Sequence, residues 1–239
     1  MVHKKLLYIF LFLIYSHSSK AQSADSVINN YAGFSGGKEW KKIHSVITSG
    51  KYSYGGMEFS FTSYSKAPDL YKYIVSREGK NYIQSYDGAK GWKMDGFNND
   101  SVPTLLTGKA ARAMANEADV EIESPLADYK RKGHSATFEG IDTIQNTACY
   151  KIKFTRKDGE IENYFFDRMN YALVLKSAVS KNEEMKNATI DTFYSDYRSA
   201  DGVKIPFKAI SRVSGQTILT VIVEKVQVNE PLPDKIFQP

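Results

Sequence analysis

Polar and apolar residues alternate with a period of two along most of the chain, as in β-strands that bury one face. The clearest example is 57–62, where Met57, Phe59 and Phe61 alternate with glutamate, serine and threonine. Turn signals that contain glycine separate many of these runs. The runs predict strands at about 45–52, 57–62, 70–75, 82–86, 92–94, 150–154, 161–166, 173–179, 188–197, 205–213 and 216–228.

The segment 66–97 has the most aromatic strand pattern of the sequence. Tyr71 and Tyr73 alternate with aliphatic and basic residues, and a second tyrosine-bearing strand follows a short turn. Asp87-Gly88 favours a tight hairpin, because both central positions of a type I′ turn need a positive φ. A third strand then carries Trp92. We therefore expect three antiparallel strands that present Tyr71, Tyr73 and Trp92 in succession.

Three regions have helical rather than strand spacing. Residues 25–34 place apolar side chains on one helical face, and Gly36-Gly37 is a stop signal. Residues 103–118 are rich in alanine, and Leu105, Leu106 and Met114 can share a helical stripe. A further short helix is predicted from Ser124-Pro125 to Gly133, and it carries Leu126.

The order of these elements predicts the fold class. Strands dominate both ends of the chain, and the two later helices interrupt them in the middle. About ten or eleven antiparallel strands with two inserted helices form an α+β arrangement. The chain has no internal repeat, low-complexity tract or linker, so we expect a single domain.

The N-terminus has the pattern of a secretory signal peptide. Lys4 and Lys5 precede the apolar run 6–15, and Ser19-Lys20-Ala21 supplies small residues at a cleavage site. We expect residues 1–21 to be removed and 22–239 to form the working domain. The mature segment has no cysteine at its start, so we expect an exported, soluble protein that is not itself lipidated.

Cleavage also changes the charge. The whole chain has a net charge of +5, and three lysines with no acidic residue leave with the signal peptide, so the mature chain has +2. This small excess of positive charge argues against nucleic acid as a partner.

Cys149 is the single cysteine, and we expect it to be a buried apolar residue.

No catalytic constellation stands out. Residues 33–37 match G-x-S-x-G, but this motif needs a preceding strand and a following helix, and here a helix precedes it. His44 and His134 are the histidines of the mature chain, and they have no metal-ligand spacing. We therefore expect neither an enzyme nor a metal or other cofactor. The basic run 130–132 is interpreted as a solvated helix end, with a membrane- or partner-docking patch as the alternative.

Several short motifs resemble one known family. They are Lys66-Ala67-Pro68-Asp69-Leu70-Tyr71-Lys72-Tyr73, Tyr86-Asp87-Gly88, Trp92, Gly96-Phe97, Tyr194-Ser195-Asp196-Tyr197-Arg198 and Asp201-Gly202-Val203-Lys204-Ile205-Pro206-Phe207. Together they are similar to the LolA/LolB-like periplasmic lipoprotein carriers, and most closely to the branch called outer-membrane lipoprotein-sorting proteins. The resemblance implies a strongly curved sheet, an incomplete β-barrel, with the inserted helices as a lid.

The resemblance also implies a function. A carrier of this kind binds acyl chains of lipoproteins or other lipids in a hydrophobic cavity, acts as a monomer, and contacts membrane donor and acceptor proteins transiently. The best-studied carriers have an arginine just before the strand proline that holds the lid shut. Ala67 occupies that position here, with Lys66 one residue earlier. Their gating mechanism therefore does not transfer directly.

The candidate cavity-lining residues are the apolar side chains of the aromatic strands and of the predicted lid. They are Phe59, Phe61, Tyr71, Tyr73, Trp92, Leu105, Leu106, Met114 and Leu126. Ordinary core packing under the helices is the alternative for each of them, because apolar periodicity indicates burial and not a ligand. The alternative function is a lipid- or protein-binding envelope module of the same fold, such as a stress sensor or an accessory protein.

Overall fold

The computed structural model describes residues 22–108, 110, 111, 114, 126–180, 185 and 187–239. The predicted signal peptide lies outside these residues. Helix α1 is Ala24–Ser35, and short 3₁₀ helices are Gly37–Lys42, Gly96–Asn98 and Asp234–Phe237. The strands are β1 Ser45–Tyr54, β2 Met57–Lys66, β3 Leu70–Arg77, β4 Lys80–Asp87, β5 Gly91–Asp95, β6 Thr104–Leu106, β7 Ser135–Ile144, β8 Thr147–Thr155, β9 Ile161–Asp167, β10 Leu173–Val179, β11 Thr189–Ala200, β12 Val203–Val213 and β13 Gln216–Val228.

All strands of the described ranges belong to one antiparallel sheet in the order β6-β5-β4-β3-β2-β1-β13-β12-β11-β10-β9-β8-β7. It consists of two meanders, β1–β6 and β7–β13, joined where β1 pairs with β13. The sheet is curved and does not close, because β6 and β7 remain as edges. The chain between residues 107 and 134 runs from one edge strand to the other. The predicted α+β fold, an incomplete barrel, is confirmed.

Two differences from the sequence-based expectation concern the middle of the chain. The described residues form thirteen strands rather than ten or eleven, because β6 and β7 join the strands that the pattern delimits. Leu105 and Leu106 lie on β6 and not on a helix. Of the residues that follow, Ala110, Ala111 and Met114 are helical, and the rest of the predicted helix up to residue 118 lies largely outside the described residues. Pairing of β6 with β5 overrides the local helical spacing.

The predicted helix after Ser124 also differs. Its first two residues lie outside the described part of the chain, and residues 126–133 form hydrogen-bonded turns that end at Gly133, where φ is +83°. No helix within the described ranges is long and apolar enough to cross a membrane.

The two faces of the sheet are covered differently. We call the face that contacts α1 and Met114 the inner face, and the opposite one the outer face. In the C-terminal meander, α1 buries Val27 and Ile28 against Ile152 and Phe166 of the inner face. The Ser23 hydroxyl caps α1 by accepting the Ser26 N–H. The turns at residues 126–133 pack beside α1, so the C-terminal half of the inner face is filled.

The outer face is covered in part by the segment that follows β13. Its 3₁₀ helix Asp234–Phe237 lies on β3 and β4, and the Phe237 side chain is fully buried. The Lys72 ammonium donates to the Ile236 carbonyl, and the Ser85 hydroxyl donates to the Phe237 carbonyl. We call residues 229–238 the strap.

Elsewhere on the outer face Cys149 is fully buried, as predicted, and burial raises its thiol pKa to about 11.

Candidate functional site

The N-terminal half of the inner face carries aromatic side chains on neighbouring strands. The register pairs Tyr52 of β1 with Phe59 of β2, and Phe61 of β2 lies diagonally opposite Tyr73 of β3. Aromatic residues favour such positions because they pack across the pleated surface. We call Tyr52, Phe59, Phe61 and Tyr73 the aromatic patch.

The rings of the patch contact one another. Tyr52 stacks on Phe59 with ring centroids 5.0 Å apart, and Phe61 lies 6.0 Å from Tyr73. Phe97, from the 3₁₀ helix after β5, meets the Phe59 ring edge-on at 5.9 Å. Such aromatic pairs stabilise by about 0.5–1.5 kcal/mol beyond the area that they bury. The patch is thus a continuous aromatic surface.

The patch has a buried floor and a more exposed upper part. Phe61 is buried in a cluster with Phe207 of β12 and Val223 of β13. Tyr52, Phe59 and Tyr73 are only half-buried. At the adjoining hairpin tip, Tyr54 and Met57 are 47% and 43% exposed. Their side chains continue the patch to the rim of the sheet, so an apolar chain could gain burial by lying on it.

Three other predicted lining residues form a buried cluster next to the patch. Tyr71, Leu106 and Met114 pack together, and Tyr73 contacts them. Gly91 leaves room for this packing, because a Cβ on it would lie 3.3 Å from the Leu106 Cδ1 atom, slightly closer than ordinary contact, and 3.5 Å from the Met114 Cβ atom. This cluster therefore fixes the start of the segment that joins the two edge strands.

The remaining three predicted residues lie elsewhere. Trp92 pairs with Ser85 and Leu105 on the outer face, so Trp92 and Leu105 lie on the opposite side of the sheet from Tyr71 and Tyr73, contrary to the expectation that they line one cavity. The reason is the loop 87–90 between the paired residues Tyr86 and Gly91, since its even length turns Trp92 outward. Leu126 is buried with α1 in the C-terminal half.

Sequence reasoning missed Tyr52 and Phe97 as members of this surface. Tyr52 had a usable signal, because counting back through the Gly55-Gly56 turn places it directly opposite Phe59. Phe97 belongs to the Gly96-Phe97 motif, but no local pattern places its ring on the patch, because it lies in a short 3₁₀ helix. The position of that helix depends on the Asp95 carboxylate, which accepts the Phe97 and Asn98 N–H groups.

The tyrosine hydroxyls at and beside the aromatic patch are uncharged. Burial, followed by the nearby Asp95 carboxylate, raises the pKa of Tyr82, and burial also raises the pKa of Tyr52. Both phenols therefore stay neutral at physiological pH. The described residues contain no group of three or more histidine, cysteine, aspartate or glutamate side chains that could hold a metal ion. The arrangement is suited to binding apolar groups.

A separate open groove of about 500 Å³ lies where the strap leaves β13. It is lined by His44, Ser45, Lys66, Asn229, Glu230, Pro231, Leu232 and Pro233. The Lys66 ammonium donates to the Leu232 carbonyl and pairs with Asp234 at 2.5 Å, so this lysine anchors the strap. The groove does not include the aromatic patch.

Comparison with known proteins gives structural matches and no sequence matches. No family model matches the chain, and no curated protein matches it. The structure of a DUF1329 family protein from Desulfovibrio piger has a TM-score of 0.61 at 14% identity, covering 90% of this chain and 96% of that one.

Two further solved structures carry the family names that the sequence motifs suggested. A LolA superfamily protein from Nitrosomonas europaea has a TM-score of 0.57 at 13% identity, covering 92% of this chain and 99% of that one. A domain from Vibrio parahaemolyticus assigned to the outer membrane lipoprotein-sorting proteins has a TM-score of 0.58 at 10% identity, covering 89% and 94%. The chain therefore has the LolA-like fold that its sequence motifs predicted.

Proposed function

We propose that this protein is a periplasmic, non-enzymatic carrier that shelters the acyl chains of lipoproteins or other lipids on the aromatic patch and transfers them towards the outer membrane. The observation that carries the proposal is the half-buried aromatic patch on the inner face. Phe61 anchors its floor, while Tyr52, Phe59 and Tyr73 keep accessible surface. An acyl chain is an apolar ligand that such a surface of adjoining aromatic rings suits.

The energetic need for such a carrier is large. Each buried CH₂ group contributes about 0.8 kcal/mol, so a sixteen-carbon chain represents roughly 10 kcal/mol of gross transfer free energy. A carrier must offset this cost in water and still release the chain to an acceptor. A surface that is partly exposed before binding suits this balance better than a fully packed core.

The sequence and the fold add the cellular context of the proposal. Residues 1–21 have the pattern of a signal peptide for export to the periplasm, after which 22–239 would act as one carrier domain. Solved structures of the same fold carry LolA and lipoprotein-sorting names. A lid in this protein would work without the arginine of the best-studied carriers, since Ala67 stands at that position and Lys66 bonds the strap.

Replacing Phe59 by aspartate tests the patch. We expect the Phe59→Asp protein to bind a fluorescent fatty acid at least about tenfold more weakly, because a buried charge opposes the apolar chain. Ser60→Asp is the matched control, since Ser60 is exposed on the outer face of the same strand. Fluorescence titration of the purified proteins measures both. If the unsubstituted protein takes up no fatty acid, the proposal is wrong.

A transfer assay separates a carrier from a binding module of the same fold. The lipid-loaded protein is mixed with acceptor vesicles, and the fluorescence of the released lipid is followed over time. A carrier delivers its lipid to the vesicles, whereas a sensor or accessory module retains it. Native mass spectrometry of protein purified without detergent identifies the bound cargo.

A further inference from the structure

Lys93 is a basic residue on the inner face, close to the aromatic patch. The register places it between Gln84 of β4 and Thr104 of the edge strand β6, and Gln84 in turn lies opposite Tyr73. Directly opposed side chains on neighbouring strands have Cβ atoms about 4.5–5.5 Å apart. The Lys93 side chain therefore lies about two strand spacings from a ring of the patch.

Among the described residues, Lys93 lacks the salt bridge that three other cationic side chains of the inner face form. Arg77 pairs with Glu78 at 2.9 Å, and Arg156 and Lys176 pair with Glu162 at 3.2 and 3.0 Å. Within the part of the chain that the structure describes, Lys93 has no ion pair, and it is half-buried.

The nearest carboxylate on the same strand face is already engaged. Asp95 lies two residues after Lys93, and one of its oxygens accepts the backbone N–H groups of Phe97 and Asn98. Its other oxygen accepts the Asn98 side-chain amide at 2.8 Å. These bonds hold the 3₁₀ helix that positions Phe97. Lys93 therefore has a charge to offer to a ligand at the edge of an apolar surface.

We propose that Lys93 binds the negatively charged head group of an amphiphile whose chain lies on the aromatic patch. The ligand class is a lipid with an anionic oxygen group, a fatty-acid carboxylate or a phospholipid phosphodiester. The Gln84 amide and the Thr104 hydroxyl can add hydrogen bonds to the same group. The inference rests on the proposed acyl-chain binding and narrows its cargo to lipids that carry a charge beside the chain.

Binding of matched lipids tests this proposal on the full chain. Palmitate and lysophosphatidylglycerol carry a carboxylate and a phosphodiester, and monopalmitoylglycerol is a neutral lipid with one comparable chain. We expect the unsubstituted protein to bind both anionic lipids more tightly than the neutral one. Lys93→Met should weaken binding of the anionic lipids about tenfold and leave the neutral lipid within about twofold. Lys93→Arg should keep the preference.

Lys153→Met is the matched control, because Lys153 is a half-buried strand lysine on the outer face. Lys153→Met should bind each of the three lipids as tightly as the unsubstituted protein does.

Equal binding of neutral and anionic lipids by the unsubstituted protein would overturn the inference and leave acyl-chain binding intact. Failure to bind any of the lipids would overturn both. Displacement of palmitate by millimolar inorganic phosphate would show a site for the free anion and reject a lipid head group. The comparison of anionic with neutral lipids on the unsubstituted protein tests the inference even if a variant does not fold.

Discussion

At the residue scale, the inner face contains a buried ion cluster at the β8–β9 hairpin. Glu162 accepts the Tyr164 hydroxyl and pairs with Arg156 and Lys176. The Glu162 and Arg156 side chains are 5% and 6% exposed. Burial alone would raise the pKa of the Glu162 carboxyl, but Lys176 and Arg156 outweigh it and hold the pKa below its ordinary value. The cluster therefore makes folding stability depend on pH.

The depressed pKa determines the sign of that dependence. The ionised carboxylate favours the folded state, so its contribution is complete above the unfolded-state pKa of about 4.3 and is lost as the pH falls through the lower folded-state pKa. We expect Glu162→Gln to reduce this loss in acid. At neutral pH the variant should lose about 3–5 kcal/mol of unfolding free energy, because two buried cations lose their partner.

Urea unfolding at a series of pH values measures this effect. Asp196→Asn is the control, since Asp196 pairs with Arg198 at 2.6 Å on an exposed surface. It should leave the urea midpoint unchanged. A Glu162→Gln protein as stable as the parent at neutral pH would contradict the assigned role of the cluster.

At the element scale, the strap decides how the outer face of the first meander is closed. Phe237 is fully buried, and the hydrogen bonds from Lys72 and Ser85 fix the strap backbone on β3 and β4. Lys66 holds its beginning. These contacts lie on the face opposite the aromatic patch. The strap thus stabilises the sheet without covering the aromatic patch.

Phe237→Ala tests this separation of roles. We expect a loss of about 3–5 kcal/mol in the free energy of unfolding, the usual cost of deleting a buried phenylalanine side chain. Fatty-acid affinity at a temperature where the variant is folded should stay the same. Lys235→Ala is the control, because Lys235 is exposed on the same 3₁₀ helix. Loss of lipid binding in folded Phe237→Ala protein would show that the strap belongs to the site.

At the scale of the whole molecule, one strand pair joins the two meanders. Gly50 lies in the β1–β13 pair, where a register shift lets the strands approach closely. A Cβ at this position would lie 2.1 Å from the Ile222 carbonyl oxygen and 2.9 Å from the Val223 Cα atom. Both are backbone atoms, so no side chain can move aside. Position 50 therefore requires glycine for β1 and β13 to pair at this separation.

Gly50→Ala should destabilise the protein by about 2–3 kcal/mol, because the strands must separate locally to admit the methyl group. Gly33→Ala is the matched control. Nothing lies within 4 Å of a Cβ at Gly33 in helix α1, so alanine there should be neutral or slightly stabilising. Thermal unfolding measures both variants. A Gly50→Ala protein with an unchanged Tm would show that the β1–β13 pair tolerates a wider separation of its two strands.

Most strands and helix α1 could be predicted from the sequence, because their signals are local. The period-two pattern and the following turn give β2 and β3, and the stop at Gly36-Gly37 gives the end of α1. Phe59 and Phe61 could be placed on one strand face for the same reason. The family motifs in residues 66–97 also predicted the fold that the solved structures share.

Tertiary structure decided what local patterns leave open. Leu105 and Leu106 fit a helical stripe, yet pairing with β5 draws them into a strand. The faces of Trp92 and Lys93 depend on whether the number of residues in the preceding loop is even or odd. One additional loop residue would place Trp92 on the inner face and Lys93 on the outer face. The apolar stripe of α1 could pack on any apolar surface. It fills the C-terminal half of the inner face because Phe154 and Phe166 lie there, which leaves the aromatic patch in the other half.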